Sequence, residues 1–469
     1  MILLLSILYV SLQSSFASLD SVANDPLEFS EEGFRLFEPV PAKKIFLRTQ
    51  AVLNYFQSPA DSSNFEELKP FSGMITAADF LRRLTIVDRA NQFSRFSNTS
   101  PDKLQLFWDR DSKSRKDAEL DFSNQDGSVS VSRALENIKL AKRNPSIQQL
   151  SGLKIVIDPG HMSTKEWDSL TGKYVRDSQR NYISEGLINL QTSLLLKQEL
   201  EKYGAEVRLT REDHEPVSKV PMEKLDLNEF GRKALKERSF ENWFQSLITL
   251  YPEGPELYSA FKKSANFQAL FKEKARGNYF ILREDLQARI NEMNDFEPDL
   301  SLVIHYDSLD PANDSNGVGT KKYSKVKTYI HGSVDPEEWA TQDDRKFFAL
   351  HLLDSAVWDA SFSLAQSIVN NLSTGLGLQH DTSGGGNSYL VAPGVFARNL
   401  YITRKMTGHA HAYIECLHYN DPDEFKSLLK NEFPLLIDGE TTYYSGRLKQ
   451  VVTSIRNGIL QFVMNFPEE

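Results

Sequence analysis

Two histidines and two glutamates, far apart in the chain, are the residues whose types and placement can do chemistry. His161 closes the run Asp158-Pro159-Gly160-His161 directly after the β-branched stretch 153–157, and His305 follows the apolar run 300–304. Glu185 opens a long helical pattern, and Glu415 sits inside the apolar run 412–416. Short apolar runs of this kind read as strands. In open α/β sheets, ligand sites gather beyond the carboxyl ends of the strands, where residues distant in sequence meet. Two neutral imidazoles and one carboxylate make a three-ligand set for zinc with an open fourth position. Zinc so held acidifies water and polarises a carbonyl, and a second carboxylate off the metal is then needed to move a proton. His161, Glu185 and His305 are the candidate ligands, and Glu415 is the candidate base. Each has a plainer reading: a surface histidine, or a first-turn glutamate favoured by the helix dipole. An unpaired carboxylate inside an apolar strand is costly, and a catalytic role accounts for that cost.

The elements that must position them follow from periodicity. The strand 153–157, a helix over 185–203 and the strand 206–210 form a βαβ unit. Leu187, Leu190, Leu194 and Leu200 recur at near-helical spacing, and Gly204 is suited to end that helix. Further helices are expected over 286–294, 362–369 and 447–462. The expected class is therefore α/β, with a twisted, largely parallel or mixed sheet flanked by helices across 149–469. Two helical stretches, about 214–280 and 335–361, interrupt it as insertions. Ahead of it, 18–148 reads as a small, mostly helical domain without a chemical motif: helices over 76–90 and 130–142, with loop-like segments at 97–102 and 109–117 between them.

The chain has 469 residues and a formal charge of −10. An acidic balance lacks the basic footprint of a nucleic-acid binder. No stretch reaches the roughly 18 apolar residues of a membrane span. Residues 1–17 read as a secretory signal cleaved after Ala17, so the expected product is exported and soluble. The single cysteine, Cys416, cannot form an intramolecular disulfide; it reads as a buried thiol rather than a nucleophile. Gly384-Gly385-Gly386 lacks the Lys-Ser/Thr of a phosphate loop and reads as a flexible turn.

The run Ile155 to His161, with Glu185 and Asn189-Leu190 after it, resembles the zinc-dependent N-acetylmuramoyl-L-alanine amidase family. Residues 302–308 (LVIHYDS) are similar to that family's second-histidine motif, and Tyr413-Ile414-Glu415 with Asn420, Glu424 and Leu428 to its final motif. The resemblance implies a sheet flanked by helices, zinc on His161, Glu185 and His305, and Glu415 as catalytic glutamate. The implied reaction is hydrolysis of the amide between N-acetylmuramic acid and the L-alanine of the stem peptide, so the implied partner is peptidoglycan. Arg289 falls where the family carries an arginine and, with His380 and His409, is a further candidate for contacting substrate. Met162, Tyr306, Asp307 and the Cys416-Leu417-His418 run depart from the family pattern. A zinc peptidase cutting another amide, and a catalytically restrained wall-binding regulator, remain alternatives. Related amidases are restrained by a helix over the zinc until a partner removes it. In 335–361, Glu337, Glu338, Asp343 and Asp344 raise that possibility, with a protein activator, beside the plainer one of a solvated acidic helix.

Overall fold

The structure is a computed structural model describing residues 65–107, 111–124, 132–143, 148–221, 280–309, 317–334, 342–383 and 387–467. The signal reading at 1–17, most of the insertion at 214–280, the triglycine and Glu337 and Glu338 fall outside these residues.

Contacts divide the chain into two units. In the first, the described part comprises helix α3 (Lys165–Thr171) and the turn beginning at Phe280, and Trp167 stacks on Phe280 at 5.3 Å. The second carries the rest of the described chain.

The described part of the second unit begins with a 3-10 helix at Phe65–Phe71, followed by α1 (Ala77–Val87), capped by the Thr76 hydroxyl, which accepts from the Asp79 amide at 3.1 Å. Strands β1 (Ser97–Thr99), β2 (Lys103–Phe107) and β3 (Lys116–Asp121) then pair antiparallel, and α2 (Arg133–Arg143) follows. Both expected helices form. The sheet between them corrects the loop-like reading of 97–102, while helical residues still outnumber strand residues among those described in this region. Leu104, Leu106, Ala118 and Leu120 alternate inward with period two, while Lys103, Gln105 and Glu119 pair across the outer face. The aspartates and lysines around that alternation obscured it.

The large sheet has the order β11-β12-β9-β13-β8-β4-β7, with β10 beside β9. Its strands are β4 (Lys154–Pro159), β7 (Glu206–Leu209), β8 (Leu300–Asp307), β9 (Lys325–Ile330), β10 (Gln379–His380), β11 (Tyr389–Ala392), β12 (Val395–Ala397) and β13 (Ala410–His418). β7, β4, β8 and β13 are mutually parallel, and β9 runs antiparallel to β13. The carboxyl ends of β4, β8 and β13 thus share one rim with the amino end of β9.

Alternation assigns the faces. Ile155 and Ile157 join a core with α4 (Glu185–Lys202), α7 (Ser355–Leu376) and α10 (Gly446–Asn465). Val156 and Val303 face the other way, against α5 (Leu286–Asp295) and α8 (Tyr401–Arg404). Two hairpins lie outside the sheet: β5 (Tyr174–Arg176) with β6 (Tyr182–Ser184), and β14 (Phe433–Ile437) with β15 (Glu440–Tyr444). The short α9 (Pro422–Leu428) links β13 to β14.

The stretch 335–361 is not a discrete insertion. Helix α6 (Gln342–Leu353) ends one residue before α7, so residues from Ser355 onward begin a principal core helix. Nor is α6 a solvated helix: Phe348, Ala349, Leu352 and Leu353 are buried in the core built by Phe65, Phe80 and Phe93. Buried Arg83 on α1 donates to the Ser355 carbonyl at 2.7 Å and to Asp359 at 2.8 Å. The N-terminal elements and the large sheet are joined through these helices. Among the described residues, no helix is long and apolar enough to cross a membrane.

Candidate metal centre

The three candidate ligands meet at the rim. His161 follows β4, Glu185 is the first residue of α4, and His305 lies in β8. One ligand atom from each falls within 4.8 Å of the others, among the described residues the only such group. Glu185 Oε1 sits between the rings, 3.3 Å from His161 Nε2 and 2.9 Å from His305 Nδ1. The rings are edge-on at 4.7 Å, and Tyr413 stacks on the other side of His305 at 4.5 Å.

The loop that presents His161 is held against its own preference. His161 has φ of 57°, a left-handed conformation that costs a non-glycine residue on the order of 1 kcal/mol or more. Three consecutive carbonyls are fixed by side chains. Buried Arg289 donates to Pro159 O at 2.6 Å and to His161 O at 3.0 Å, while Asn189 donates to Gly160 O at 2.9 Å. Arg211 donates to Gly160 O at 3.3 Å and Gly186 O at 3.2 Å. Arg289 is itself held by Asp158 at 3.0 Å and Asp285 at 2.6 Å. Its donors thus face the loop, and its position is that of a group orienting His161.

Two glycines are required by close approach. A Cβ at Gly186 would overlap the Met162 carbonyl, and one at Gly160 would overlap the His305 ring. Because the Nε2 edge of His305 packs on Gly160, Nδ1 is the nitrogen facing Glu185. The backbone of Gly160 suits alanine, so Gly160→Ala isolates that contact. The variant is expected to fold normally by circular dichroism and to bind zinc at least about tenfold more weakly. Unchanged affinity would show that His305 is not held by this contact.

The electrostatics suit a cation. Burial lowers His161 to about 4 against the pull of Glu185, so its ring is neutral at pH 7. Burial opposes ionisation of Glu185, but His161 and Lys173 outweigh it and hold the carboxyl well below the usual range. His161 Nε2 and Glu415 Oε2 are buried polar atoms without a hydrogen-bond partner. Neutral imidazole, a carboxylate and an unsatisfied ring nitrogen fit a zinc ion.

Glu415 stands on β13 in register with His305 on β8 and with Lys327 on β9. Burial, then the charges of Asp307 and Glu185, push its carboxyl well above the ordinary range, with Lys327 and Lys173 opposing. Asp307 and His418, both departures from the family pattern, are partners. The Lys325 amide donates to His418 Nδ1 at 3.1 Å, so Nε2 carries the proton and donates to Asp307 Oδ2 at 3.2 Å. Lys327 pairs with the same Asp307 oxygen and lies 3.4 Å from Asp381. Tyr306 points away, bonding Thr192 at 2.8 Å.

His409 is not brought to this centre. It bonds Ser301 at 2.6 Å near the start of β8, four residues, or ~13 Å of strand, before His305. His380 lies on β10, across β9 from Glu415's strand, with Nε2 buried. Sequence reasoning missed Lys173 and Lys327. A hairpin and an antiparallel strand deliver them, and neither carries a motif.

Fold and site together define an α/β protein with a His-Glu-His centre and a carboxylate beside it. Solved structures similar to the chain include the CwlD amidase from Clostridioides difficile in complex with the GerS lipoprotein, at 16% identity over 66% of this chain and 98% of that one, with a TM-score of 0.33. Others are the N-acetylmuramyl-L-alanine amidase Ami1 from Mycobacterium smegmatis (12% identity, 67% and 98% covered, TM-score 0.36) and the N-acetylmuramoyl-L-alanine amidase AmiC2 of Nostoc punctiforme (13%, 67% and 99%, TM-score 0.34). No protein-family model and no curated protein matches the chain. The reading of the centre rests on its own residues.

Proposed function

We propose that this chain is an exported zinc hydrolase of peptidoglycan that cleaves the amide joining N-acetylmuramic acid to the L-alanine of the stem peptide. The observation that carries the reading is the meeting of His161, Glu185 and His305 within 4.8 Å, with Glu415 in register beside His305 on the neighbouring strand. The substrate is taken from the motif resemblance.

His161, Glu185 and His305 would hold the metal. Zinc bound there supplies a Lewis acid that polarises the scissile carbonyl and lowers the pKa of water. Glu415 then has two tasks: its carboxylate takes a proton from the attacking water, and the resulting carboxylic acid delivers one to the departing L-alanine nitrogen. The neighbours that raise Glu415 strengthen it as the base that takes up the proton. Tyr413 and Gly160 confine the His305 ring, and Arg289 with Asn189 and Arg211 keep His161 directed at Glu185.

The test is digestion of purified peptidoglycan by residues 18–469, followed by mass analysis of the released products. Intact stem peptides with a free L-alanine amine, lost on chelation and restored by zinc, are expected. Products cut at another amide would make the chain a zinc peptidase. Binding without turnover, unaffected by Glu415→Ala, would make it a restrained wall-binding regulator.

A further inference from the structure

The geometry points to Lys173 as a positioning residue for the metal centre: its ammonium holds the outer oxygen of Glu185, leaving the inner oxygen as a single-point ligand. This inference rests on the zinc reading above and deepens it.

Glu185 divides its two oxygens. Oε1 lies between His161 Nε2 and His305 Nδ1, at 3.3 and 2.9 Å, while Oε2 lies 3.6 Å from Lys173 Nζ. A carboxylate beside a divalent ion can grip it through one oxygen or both. Gripping through both would take the position that water or substrate needs. A cation on Oε2 favours the one-oxygen mode and fixes the rotation of the carboxylate plane, as the outer partners of metal ligands generally do.

The backbone puts Lys173 there. Tyr174 on β5 pairs with Ser184 on β6, and the Glu185 amide extends the ladder by donating to the Lys173 carbonyl at 2.9 Å. Lys173 is therefore opposite Glu185 in the hairpin, with the α4 N-cap at Ser184 fixing where the helix starts. Its side chain keeps 38% of its exposure, against 10% for Lys327. Lys327 is committed to Asp307 and Asp381 and does not substitute for it.

The experiment measures zinc affinity of the full chain by competition with a chromophoric chelator. Lys173→Met is expected to weaken zinc about 10–100-fold, with the metal-free protein still folded by circular dichroism. Lys173→Arg, which keeps the charge, is expected to restore affinity to within about threefold of wild type. Lys173→Gln repeats the test should the methionine variant fail to fold. Wild-type affinity in the neutral variants would overturn the assignment while leaving the zinc reading intact. Absence of zinc binding by the wild type would overturn both, and the two failures are thereby distinguished.

Discussion

Glu415→Gln is expected to lower kcat on peptidoglycan by about 10²–10⁴-fold while leaving zinc affinity unchanged. The substitution keeps shape and removes only the capacity to accept and return a proton. Glu415 is not among the three residues whose ligand atoms cluster, so loss of metal is not expected to confound the result. Its environment also argues for the neutral glutamine being tolerated. The carboxylate is disfavoured by burial and by Asp307 and Glu185, and Oε2 has no hydrogen-bond partner. An amide there removes a charge that the fold bears at a cost, so the variant should melt at or above the wild-type temperature. Turnover within tenfold of wild type would remove Glu415 from the reaction. Zinc loss in parallel with activity would make it a ligand instead.

Acidification from pH 6.5 to 4.5 is expected to cost several kcal/mol of stability, through histidines distant from the metal centre. His331, His351, His409 and His411 are all buried where α6, β9, α8 and β13 meet. His331 is stacked between Phe348 at 5.5 Å and His351 at 4.1 Å, with neither ring nitrogen hydrogen-bonded. His351 Nε2 donates to the Arg404 carbonyl at 2.9 Å, and His411 Nδ1 lies 3.4 Å from the Ser361 hydroxyl. Burial lowers His351 and His409 from 6.5 to about 4 and His331 and His411 well below their ordinary value. The other charges acting on them are those of the neighbouring histidines themselves when protonated and of Arg404 and Arg133, all of which push the same way.

Since these groups are harder to protonate folded than unfolded, their contribution is fully present above pH 6.5. It is lost as pH falls toward 4, because the unfolded chain then binds protons that the folded chain does not. Each shifted histidine loses about 1.4 kcal/mol per pH unit, hence on the order of 3 kcal/mol by pH 4. Two such groups weigh heavily against a typical stability of about 5–15 kcal/mol. Glu185 is held below its usual range and loses its contribution only below this window, whereas His161 at the metal centre adds to the loss within it and Asp354, raised to about 6, offsets part of it. Urea unfolding at pH 7, 5.5 and 4.5 measures the effect. His331→Phe, which keeps the stack and removes two unpartnered nitrogens, is expected to be more stable by about 1 kcal/mol at pH 7 and to lose less on acidification. Equal acid sensitivity in wild type and variant would locate the effect elsewhere.

Much of the candidate donor set is legible in the sequence, for a physical reason. A strand's carboxyl end lies near where a β-branched run stops: His161 is two residues past the end of β4, and His305 is two residues before the end of β8. The helix from Glu185 to Lys202 was equally legible, because Gly204, at φ of 91°, supplies the left-handed residue just past its end. The three-stranded sheet at 97–121 was hidden because short strands whose outer faces carry Lys103, Glu119 and Asp121 read as polar loop. The boundary at Asp354 was hidden because a one-residue break between α6 and α7 leaves no composition change to detect.

The sequence by itself determined the donor set, its order along the chain and the α/β class, since these depend on residue type and local period. The tertiary structure alone decided the neighbours. Strand order places β9 against β13, and so Lys327 beside Glu415; hairpin pairing places Lys173 against Glu185. It also moved His409 to the far end of the sheet and made Arg289 a clamp on the His161 loop. Pairing between distant segments is fixed by which faces bury together, and no local pattern encodes that choice.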